Sequence, residues 1–399
     1  MRSELWQRPP KPATDRSTSN WRRRRFACAF LLLRTAVGLQ STELERRLIE
    51  QIQREGPITF RDFMQAALYD PELGYYNTER LKIGAPGDYY TSSNVHPAFG
   101  VLLSRAFAQL WADFIMPLTI VEYGPGTGQL ACDVLSAMRD EQPAVFDRLT
   151  YVLVEASPAM RNRQRDKLLP FEQHVRWRAL HDLERKAVTA IAFSNEFVDA
   201  LPVHRARYRS GALEELYVGI DAACLALLWS KPSTERLWKY VQRIGVGLRE
   251  GQIIEINLEM IDWLARVSGT LENGFLMTID YGDAANHLYA QDRESGTLRS
   301  FYRHRLIDSP LERVGEQDIT ASVNFTALIE YGCDFGFEAV SYERQTAFLI
   351  RMGLIEMIAG QDTSANTPGD LKDRLALKNL FVPGGVGDNF RVLIQRKSG

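Results

Sequence analysis

The stretch IVEYGPGTGQL, residues 120–130, constrains the fold of this chain more than any other. A short apolar run leads into Glu122, and glycines then follow at alternate positions, Gly124, Gly126 and Gly128. Glycine lets a backbone turn tightly and approach a ligand closely. The pattern therefore predicts a buried strand, a glycine turn and a helix that opens at the last glycine.

The alternation of strands and helices continues along the chain. Strands are predicted at LTIVE, TYVLVEAS, AIAFSNEFVDALP, GFLMTIDYG and FRVLIQRK, and helices at GQLACDVLSAMRD and PAMRNRQRDKL. Strands separated by helices are typical of a parallel sheet with right-handed crossovers. The sequence therefore predicts an α/β fold, a doubly wound and mostly parallel sheet of the Rossmann-like kind.

The rest of the chain is divided around this sheet. Residues 43–116 are predicted to form a helical segment with a Gly/Pro-rich lid loop, and residues 117–399 the α/β domain. Insertions are predicted at about 203–250, with a hairpin in RARYRSGALEELYVGI, and at 284–325. A long connection after a strand end usually carries function.

The first 42 residues differ in composition from the rest. They contain Arg22–Arg25 in a row and the apolar run FACAFLLL, which is far shorter than the roughly 20 residues of a spanning helix. We expect a disordered extension, and an arginine-rich transit peptide is the alternative. No later run is apolar enough to predict an integral membrane segment.

The composition excludes some classes of function. A net charge of -2 argues against a nucleic-acid binder, which usually has a basic balance. The four cysteines form no CxxC pair, which argues against a zinc ribbon or a disulfide framework and fits a reducing compartment. No metal site is predicted.

The residues around the glycines predict the kind of ligand. A dinucleotide fingerprint needs glycine at position 129, where Gln129 stands. The carboxylate of Glu122 would repel a pyrophosphate, but it suits a cation such as S-adenosylmethionine. Glu155, at the end of the second strand, is placed to accept hydrogen bonds from ribose hydroxyls. The alternative is that Glu122 and Glu155 are solvated charges at strand ends.

The end of the third strand, FSNEFVDALP, carries candidate catalytic residues. Asn195 and Glu196 emerge where an acceptor would meet a methyl group, and Asp199 follows. If the acceptor is an arginine, carboxylates can hold its planar guanidinium by paired hydrogen bonds and take up its proton. The alternative is a helix N-terminus that Asn195 caps and the acids stabilise.

Together these motifs resemble the MidA-like class I methyltransferases, over about residues 58–395. The resemblance rests on the words LYDPELGYY, GDYYTSS, VEYGPGTGQLACDVL, YVLVEASPAMRNRQ, SNEFVDALPVH, LMTIDYG, GTLRSFYRHR and GEQDITASVNFTAL. It implies a fold that binds S-adenosylmethionine. In a mitochondrial member of the family, a complex I assembly factor, the substrate is an arginine of a complex I subunit.

Site residues carried over from the family follow its motifs. The three glycines would hold the methionine part of the cofactor and Glu155 its ribose, while Gly87, Asp88 and Thr91 would belong to a lid. The family usually has a histidine and an acid where this chain has Ser322 and Asn324. Four further residues lie in the long loop and could meet substrate or form a surface charge cluster: Arg299, Tyr302, Arg303 and His304. His96 is expected to form hydrogen bonds within its loop.

The sequence thus predicts an S-adenosylmethionine-dependent methyltransferase that acts on a protein, with arginine as the first candidate and a complex I-type subunit as a candidate partner. Two alternatives stay open, a non-catalytic assembly factor that retains the fold and a small-molecule methyltransferase. The expected location is the mitochondrial matrix if the amino-terminal extension is a transit peptide, and the cytoplasm if the protein is bacterial.

Overall fold

An eight-stranded sheet organises this computed structural model, which describes residues 41–78, 96–179, 188–303, 305–359 and 389–399. The strands are β1 (Ile58–Thr59), β2 (Thr119–Tyr123), β3 (Thr150–Val154), β4 (Val175–Arg178), β5 (Val188–Asn195), β6 (His204–Arg209), β7 (Ala212–Asp221), β8 (Cys224–Ser230), β9 (Ile253–Ile256), β10 (Leu271–Asp283), β11 (Arg299–Tyr302), β12 (Arg305–Ile307), β13 (Asp318–Thr320), β14 (Val323–Asn324), β15 (Phe337–Arg344) and β16 (Phe390–Lys397). The helices are α1 (Glu43–Glu55), α2 (Phe60–Tyr69), α3 (Ala98–Trp111), α4 (Gln129–Glu141), α5 (Pro143–Phe146), α6 (Pro158–Leu168), α7 (Arg236–Ile244), α8 (Leu258–Thr270), α9 (Ala285–Leu288), α10 (Phe325–Asp334), α11 (Gln345–Arg351) and α12 (Leu354–Ala359).

The strand order in the large sheet is β15–β16–β10–β5–β2–β3–β4, and β14 also pairs with β10. The neighbours from β10 to β4 are parallel, whereas β16 runs antiparallel to both β10 and β15. The chain builds outward from β2 through β3 and β4 and then returns to β5 on the other side of β2. Because the order reverses there, a ligand is expected at the carboxyl ends of β2 and β5.

Helices cover both faces of this sheet, as the predicted doubly wound fold requires. On one face Phe107 of α3 packs against Phe193 of β5, with ring centroids 5.0 Å apart. On the other face Trp263 of α8 lies in the same cluster as Val121. Successive residues of a strand point to opposite faces, so Ile120 and Val121 enter different clusters. Burial on both faces accounts for the continuous apolar runs in the sequence.

A second, antiparallel sheet has the order β1–β7–β6–β9, with β8 on β7. The predicted hairpin is confirmed, and Ser210 and Gly211 close it with φ angles of 51° and 83°. The sheet extends past the predicted insertion, since β9 follows residue 250 and β1 comes from the amino-terminal segment. A third sheet, β12–β11–β13, lies within the predicted long connection 284–325.

The boundaries of most predicted elements agree with the structure. FRVLIQRK coincides with β16, and LTIVE differs from β2 by one residue. Thr42 caps α1 by accepting the Glu45 N–H. The sequence reading missed β4, β14 and β15 of the large sheet, β1, β8 and β9 of the second sheet, and all three strands of the third sheet. β15 is an edge strand with mostly exposed side chains, so it lacks the apolar run that marks a buried strand.

Candidate active site

The glycine turn lies at the carboxyl end of β2, as the sequence predicts. Gly124 has a φ of 69°, and Gly128 has a φ of 77° immediately before α4. A Cβ atom on Gly124 would lie 2.6 Å from Cδ2 of Phe197, so the position needs glycine for space as well as for conformation. Phe197 belongs to the turn after β5. The two turns therefore touch at the point where the strand order reverses.

Glu122 is buried directly below the glycine turn. Its side chain accepts a hydrogen bond from the Tyr151 hydroxyl at 2.8 Å, and the residue is 2% exposed. Burial raises the pKa of Glu122 to about 8; the charge of Glu155 acts in the same direction and the Tyr151 bond in the opposite one. Interpreting Glu122 as a solvated charge is therefore wrong.

Glu155, directly after β3, is held by two hydrogen bonds. Its Oε1 accepts the Ser157 N–H at 2.8 Å, and its Oε2 accepts Nε2 of Gln164 at 3.1 Å. Burial raises the pKa of Glu155, and these two bonds lower it. Glu155 is thus partly buried and fixed in orientation, unlike a solvated charge.

Gln164 of α6 joins the glycine turn to this acid. Besides its bond to Glu155, Nε2 donates to the carbonyl of Gly126 at 2.7 Å, and Oε1 accepts the Trp177 indole N–H at 3.0 Å. The side chain is completely buried. Sequence reasoning missed Gln164. The available signal was a single amide side chain on the buried face of α6. This face cannot be recognised in the sequence, because α6 has almost no amphipathic pattern.

The turn after β5 is shaped by a second residue that the sequence reading missed, Asp280 of β10. Its buried Oδ2 accepts the backbone N–H groups of Phe197, Val198 and Asp199, at 3.3, 3.0 and 3.2 Å. Burial, and then the charge of Glu196, raises the pKa of Asp280 to about 8. The next element along the chain is β6, so the alternative that residues 195–199 begin a helix is wrong.

The structure brings the three predicted catalytic residues together in this turn. Nδ2 of Asn195 donates to Oε1 of Glu196 at 3.4 Å. Glu196 has a φ of 52°, a conformation that costs energy for any residue but glycine and that is concentrated at functional sites. Asn195 is 8% exposed and Asp199 6%, yet Oδ1 of each has no hydrogen-bond partner. Buried polar atoms without partners are rare, and here they indicate a place for a polar ligand or water.

The surroundings of Asp199 are acidic and aromatic. Burial raises the pKa of Asp199 well above its usual value, and the charges of Asp280, Asp318 and Glu196 act in the same direction. Tyr69 of α2 lies alongside, and its hydroxyl donates to the carbonyl of Ala200 at 3.0 Å. This arrangement would be stabilised by a cation and would repel an anion.

Other predicted residues lie apart from this turn or outside the description. Gly87, Asp88, Thr91 and His304 are outside the described residues. Arg299 is exposed on β11, and the ring of Tyr302 lies 5.3 Å from the guanidinium carbon of Arg303. His96 accepts the Ala98 N–H at 3.0 Å on its Nδ1, as expected of a residue that forms hydrogen bonds within its loop.

Asn324, one of the two departures from the family pattern, has a structural role. Its Oδ1 accepts the Ala327 N–H at 3.2 Å and caps α10, while Nδ2 donates to the hydroxyls of Tyr240 and Tyr289 at 2.9 and 3.4 Å. An ionised acid could not donate these last two bonds. At Ser322, the backbone N–H donates to Oγ1 of Thr297 at 3.2 Å.

The described residues contain neither a metal-binding cluster nor a helix that could span a membrane. No group of three or more His, Cys, Asp or Glu side chains there is arranged to hold a metal ion. No helix in the described ranges is both long enough and apolar enough to cross a membrane.

Comparison with known proteins identifies the family. The family model described as S-adenosyl-L-methionine-dependent methyltransferase matches residues 102–342, which is more than half of the chain. The chain belongs to this family. It is an S-adenosylmethionine-dependent methyltransferase, and the predictions of the cofactor and of the class I fold are confirmed.

Solved structures resemble this methyltransferase over most of its length. A protein from Burkholderia thailandensis bound to S-adenosyl-homocysteine is 28% identical, with a TM-score of 0.81 over 89% of this chain and 92% of that one. A native structure of a protein from the same organism is 29% identical, with a TM-score of 0.78. Because S-adenosyl-homocysteine is the demethylated cofactor, the first structure shows which ligand such a fold holds.

Curated relatives carry a more specific name. The human protein arginine methyltransferase NDUFAF7, mitochondrial, is 28% identical over 382 residues, covering 88% of this chain and 82% of the relative. The Drosophila melanogaster homologue is 28% identical over 314 residues, covering 71% of this chain and 68% of the relative.

The residues near the carboxyl ends of β2 and β5, where the strand order reverses, fit the cofactor. The glycine turn leaves space for close approach, and fixed carboxyl groups of Glu122 and Glu155 lie at the ends of β2 and β3. An ammonium group and ribose hydroxyls are the donors that such acceptors suit. We therefore expect the methionine part of the cofactor at the glycine turn and its ribose at Glu155.

Proposed function

We propose that this methyltransferase modifies an arginine side chain of a protein. The observation that carries the proposal is the turn after β5, where Asp199 is buried with one carboxylate oxygen unpaired beside Glu196. A guanidinium group offers several N–H donors in a plane and a full positive charge, which matches two neighbouring carboxyl groups. The names of the curated relatives support the same substrate class.

The residues of the turn would contribute mainly by positioning. The bound cofactor supplies an electrophilic methyl group. Glu196 and Asp199 would hold the guanidinium so that one nitrogen points at that group, and Asn195 would orient Glu196 through its amide. As the methyl group passes from the cofactor's sulfur to that nitrogen, the nitrogen would lose a proton, and a carboxylate of the turn would be placed to accept it. Positioning and proton transfer of this kind account for large rate factors in enzymes.

The candidate partner is a complex I-type subunit, and the candidate location is the mitochondrial matrix. The resemblance to the complex I assembly factor supports the first proposal. The word mitochondrial in the relatives' names and the arginine-rich first 42 residues support the second.

Methyl transfer in a lysate tests the substrate class. The protein is incubated with S-adenosylmethionine labelled in its methyl group, in lysate from cells that lack the protein. Labelled protein that yields methylarginine on hydrolysis is the expected result. Label in another type of side chain would overturn the arginine proposal. Label found only in small molecules would favour a small-molecule methyltransferase, and no transfer at all would favour a non-catalytic assembly factor.

Substitution of the two acids tests their role. We expect Asp199→Asn and Glu196→Gln each to lower methyl transfer by at least ~100-fold, the scale of a lost acid or base, with unchanged affinity for S-adenosyl-homocysteine. The fold should be kept in Asp199→Asn, because an amide resembles the protonated carboxyl group that burial favours at this position. Turnover, cofactor affinity and melting temperature are measured on the same preparations.

Exposed acids provide matched controls for these variants. Asp221→Asn and Glu235→Gln remove the same charges from the surface and should leave turnover unchanged. If the turn variants lose stability but retain turnover, the two acids are structural and the proposed catalytic role is wrong.

A further inference from the structure

The acidic turn is completed by residues from outside the large sheet. Asp318 is the first residue of β13, in the small sheet of the long connection, and it is 4% exposed. The N–H of Ala321 donates to the carbonyl of Asp199 at 3.0 Å, so the chain that follows β13 is bonded directly to the turn. Asp318 is also among the charges that raise the pKa of Asp199.

Tyr76, from the amino-terminal segment, orients Asp318. Its hydroxyl donates to Oδ1 of Asp318 at 2.9 Å. The ring centroids of Tyr76 and Tyr69 lie 5.4 Å apart. Burial, and then the charges of Asp199 and Asp318, raise the pKa of the Tyr69 hydroxyl. The two tyrosines come from the amino-terminal segment, and the two carboxyl groups come from the turn after β5 and from the long connection, so four side chains from three parts of the chain converge on one place.

Unpaired buried atoms show that this space suits a donor. Oδ1 of Asp199 and the hydroxyl of Tyr281 are both buried, and neither makes a hydrogen bond of good geometry, although Tyr281 is near enough to Asp199 to lower the pKa of that carboxyl group. Tyr281 follows Asp280 on β10. Burial, and then the charges of Asp199 and Asp318, raise the pKa of its hydroxyl. Buried acids that lie close together either take up protons or need a cation among them, because their negative charges are otherwise costly. A flat guanidinium can pair with carboxylates and also lie against aromatic rings.

We infer that Asp318, oriented by Tyr76, is a specificity-determining residue for the methyl acceptor, and that the acceptor's cationic side chain lies between Asp318 and Asp199. This inference rests on the proposed function. It assigns recognition of the acceptor to the amino-terminal segment and the long connection, whereas the glycine turn and Glu155 would bind the cofactor.

Binding of a small probe tests the inference. The full chain is saturated with S-adenosyl-homocysteine and titrated with N-acetyl-arginine amide and with N-acetyl-citrulline amide, which has a similar shape but no charge. We expect wild type to prefer the arginine probe. Asp318→Asn should lose at least ~10-fold of that affinity, the scale of a hydrogen bond to a charged group, and should no longer discriminate between the probes.

The controls separate recognition from folding. Glu316→Gln removes a charge two residues away, from an acid that pairs with Arg313 near the surface, and should behave as wild type. Tyr76→Phe keeps the ring but removes the hydroxyl that donates to Asp318, so it should weaken binding of the arginine probe less than Asp318→Asn does. Affinity for S-adenosyl-homocysteine should stay constant in all three variants. If Asp318→Asn does not fold, Tyr76→Phe decides the question by the same comparison.

The outcomes distinguish this inference from the proposed function. If wild type binds both probes equally, or if Asp318→Asn and Tyr76→Phe bind the arginine probe as Glu316→Gln does, the inference is overturned. Methyl transfer to an arginine substrate is measured separately. The proposed activity can therefore be supported even if the role of Asp318 is contradicted. If the arginine probe binds through Asp318 but no arginine substrate is methylated, the role of Asp318 in binding is supported and the proposed activity is contradicted.

Discussion

At the scale of single residues, the site is built from carboxyl groups that are buried rather than solvated. Glu122 and Asp280 each have a pKa of about 8 because burial disfavours the charged form. Each nevertheless accepts hydrogen bonds that fix its orientation. Such groups can hold a proton in the empty site and give it up when a cation arrives, which suits a site for positively charged ligands.

These raised pKa values predict how stability depends on pH. An acid whose pKa is higher in the folded protein than in the unfolded chain stabilises the fold at low pH, and this stability is lost as pH rises through the folded pKa. Without cofactor, the melting temperature should therefore fall between about pH 5 and pH 8, the window between the usual glutamate value and that of Glu122.

The variant Glu122→Gln tests this assignment. Its amide cannot ionise but can still accept the Tyr151 bond, so the fall in melting temperature should be smaller than in wild type. Some fall should remain because Asp280 titrates over the same range. Scanning calorimetry at several pH values checks the slope, with the exposed Glu235→Gln as control. Equal slopes in Glu122→Gln and wild type would show that Glu122 does not titrate there.

At the scale of elements, the site depends on two turns that touch. The turn after β2 needs positive φ angles, and the turn after β5 is held by three backbone N–H groups on Asp280. Phe197 of the second turn packs where a side chain at Gly124 would lie. A change in one turn should therefore be transmitted to the other.

Gly124→Ala tests this coupling. The new Cβ would meet both a disfavoured φ and the Phe197 ring at 2.6 Å, so we expect a loss of at least ~2 kcal/mol in unfolding free energy, from strain and overpacking together. Affinity for S-adenosylmethionine should fall by more than ~10-fold, because a loss of only ~1.4 kcal/mol in binding free energy raises the Kd tenfold. Denaturant unfolding and calorimetry measure the two effects.

Gly211→Ala is the matched control for strain alone. Gly211 also has a positive φ, 83°, but nothing lies within 4 Å of the position of its Cβ. This variant should lose only about 1 kcal/mol of stability and keep its affinity for the cofactor. If Gly124→Ala behaves in the same way, the contact between the turns is unimportant for binding.

At the scale of the whole molecule, the described chain combines a cofactor-binding sheet with two added sheets and an amino-terminal helical segment. A third hydrophobic cluster joins these additions, with Leu48 of α1, Phe60 of α2, Leu216 of β7 and Ile319 of β13 in its centre. Ile319 points into that cluster, so its neighbour Asp318 points to the other side of β13, towards Asp199. The added parts thus bring residues to the acidic turn.

Removal of residues 1–40 is predicted to leave this assembly unchanged. Their composition shows no apolar pattern of the kind that marks a core helix, and the first described helix begins at Glu43 with its own cap. Melting temperature and cofactor affinity should match those of the full chain, while import into mitochondria should be lost. A loss of several degrees would mean that FACAFLLL packs against the fold, and unchanged import would contradict the transit-peptide interpretation.

The local part of the site could be predicted from the order of the amino acids alone. The glycine turn, the strands around it, Glu155 and the acids after β5 are all visible there, because glycine conformations and strand ends are short-range properties. The distant groups that contact these residues became visible only in the folded chain. Asp280 binds the backbone of a turn more than 80 residues earlier, Gln164 joins two strand ends, and Asp318, which accepts the Tyr76 hydroxyl, lies near Asp199. Such convergence depends on the order of strands in the sheet and on the packing of inserted segments, and neither is encoded in any local pattern of residues.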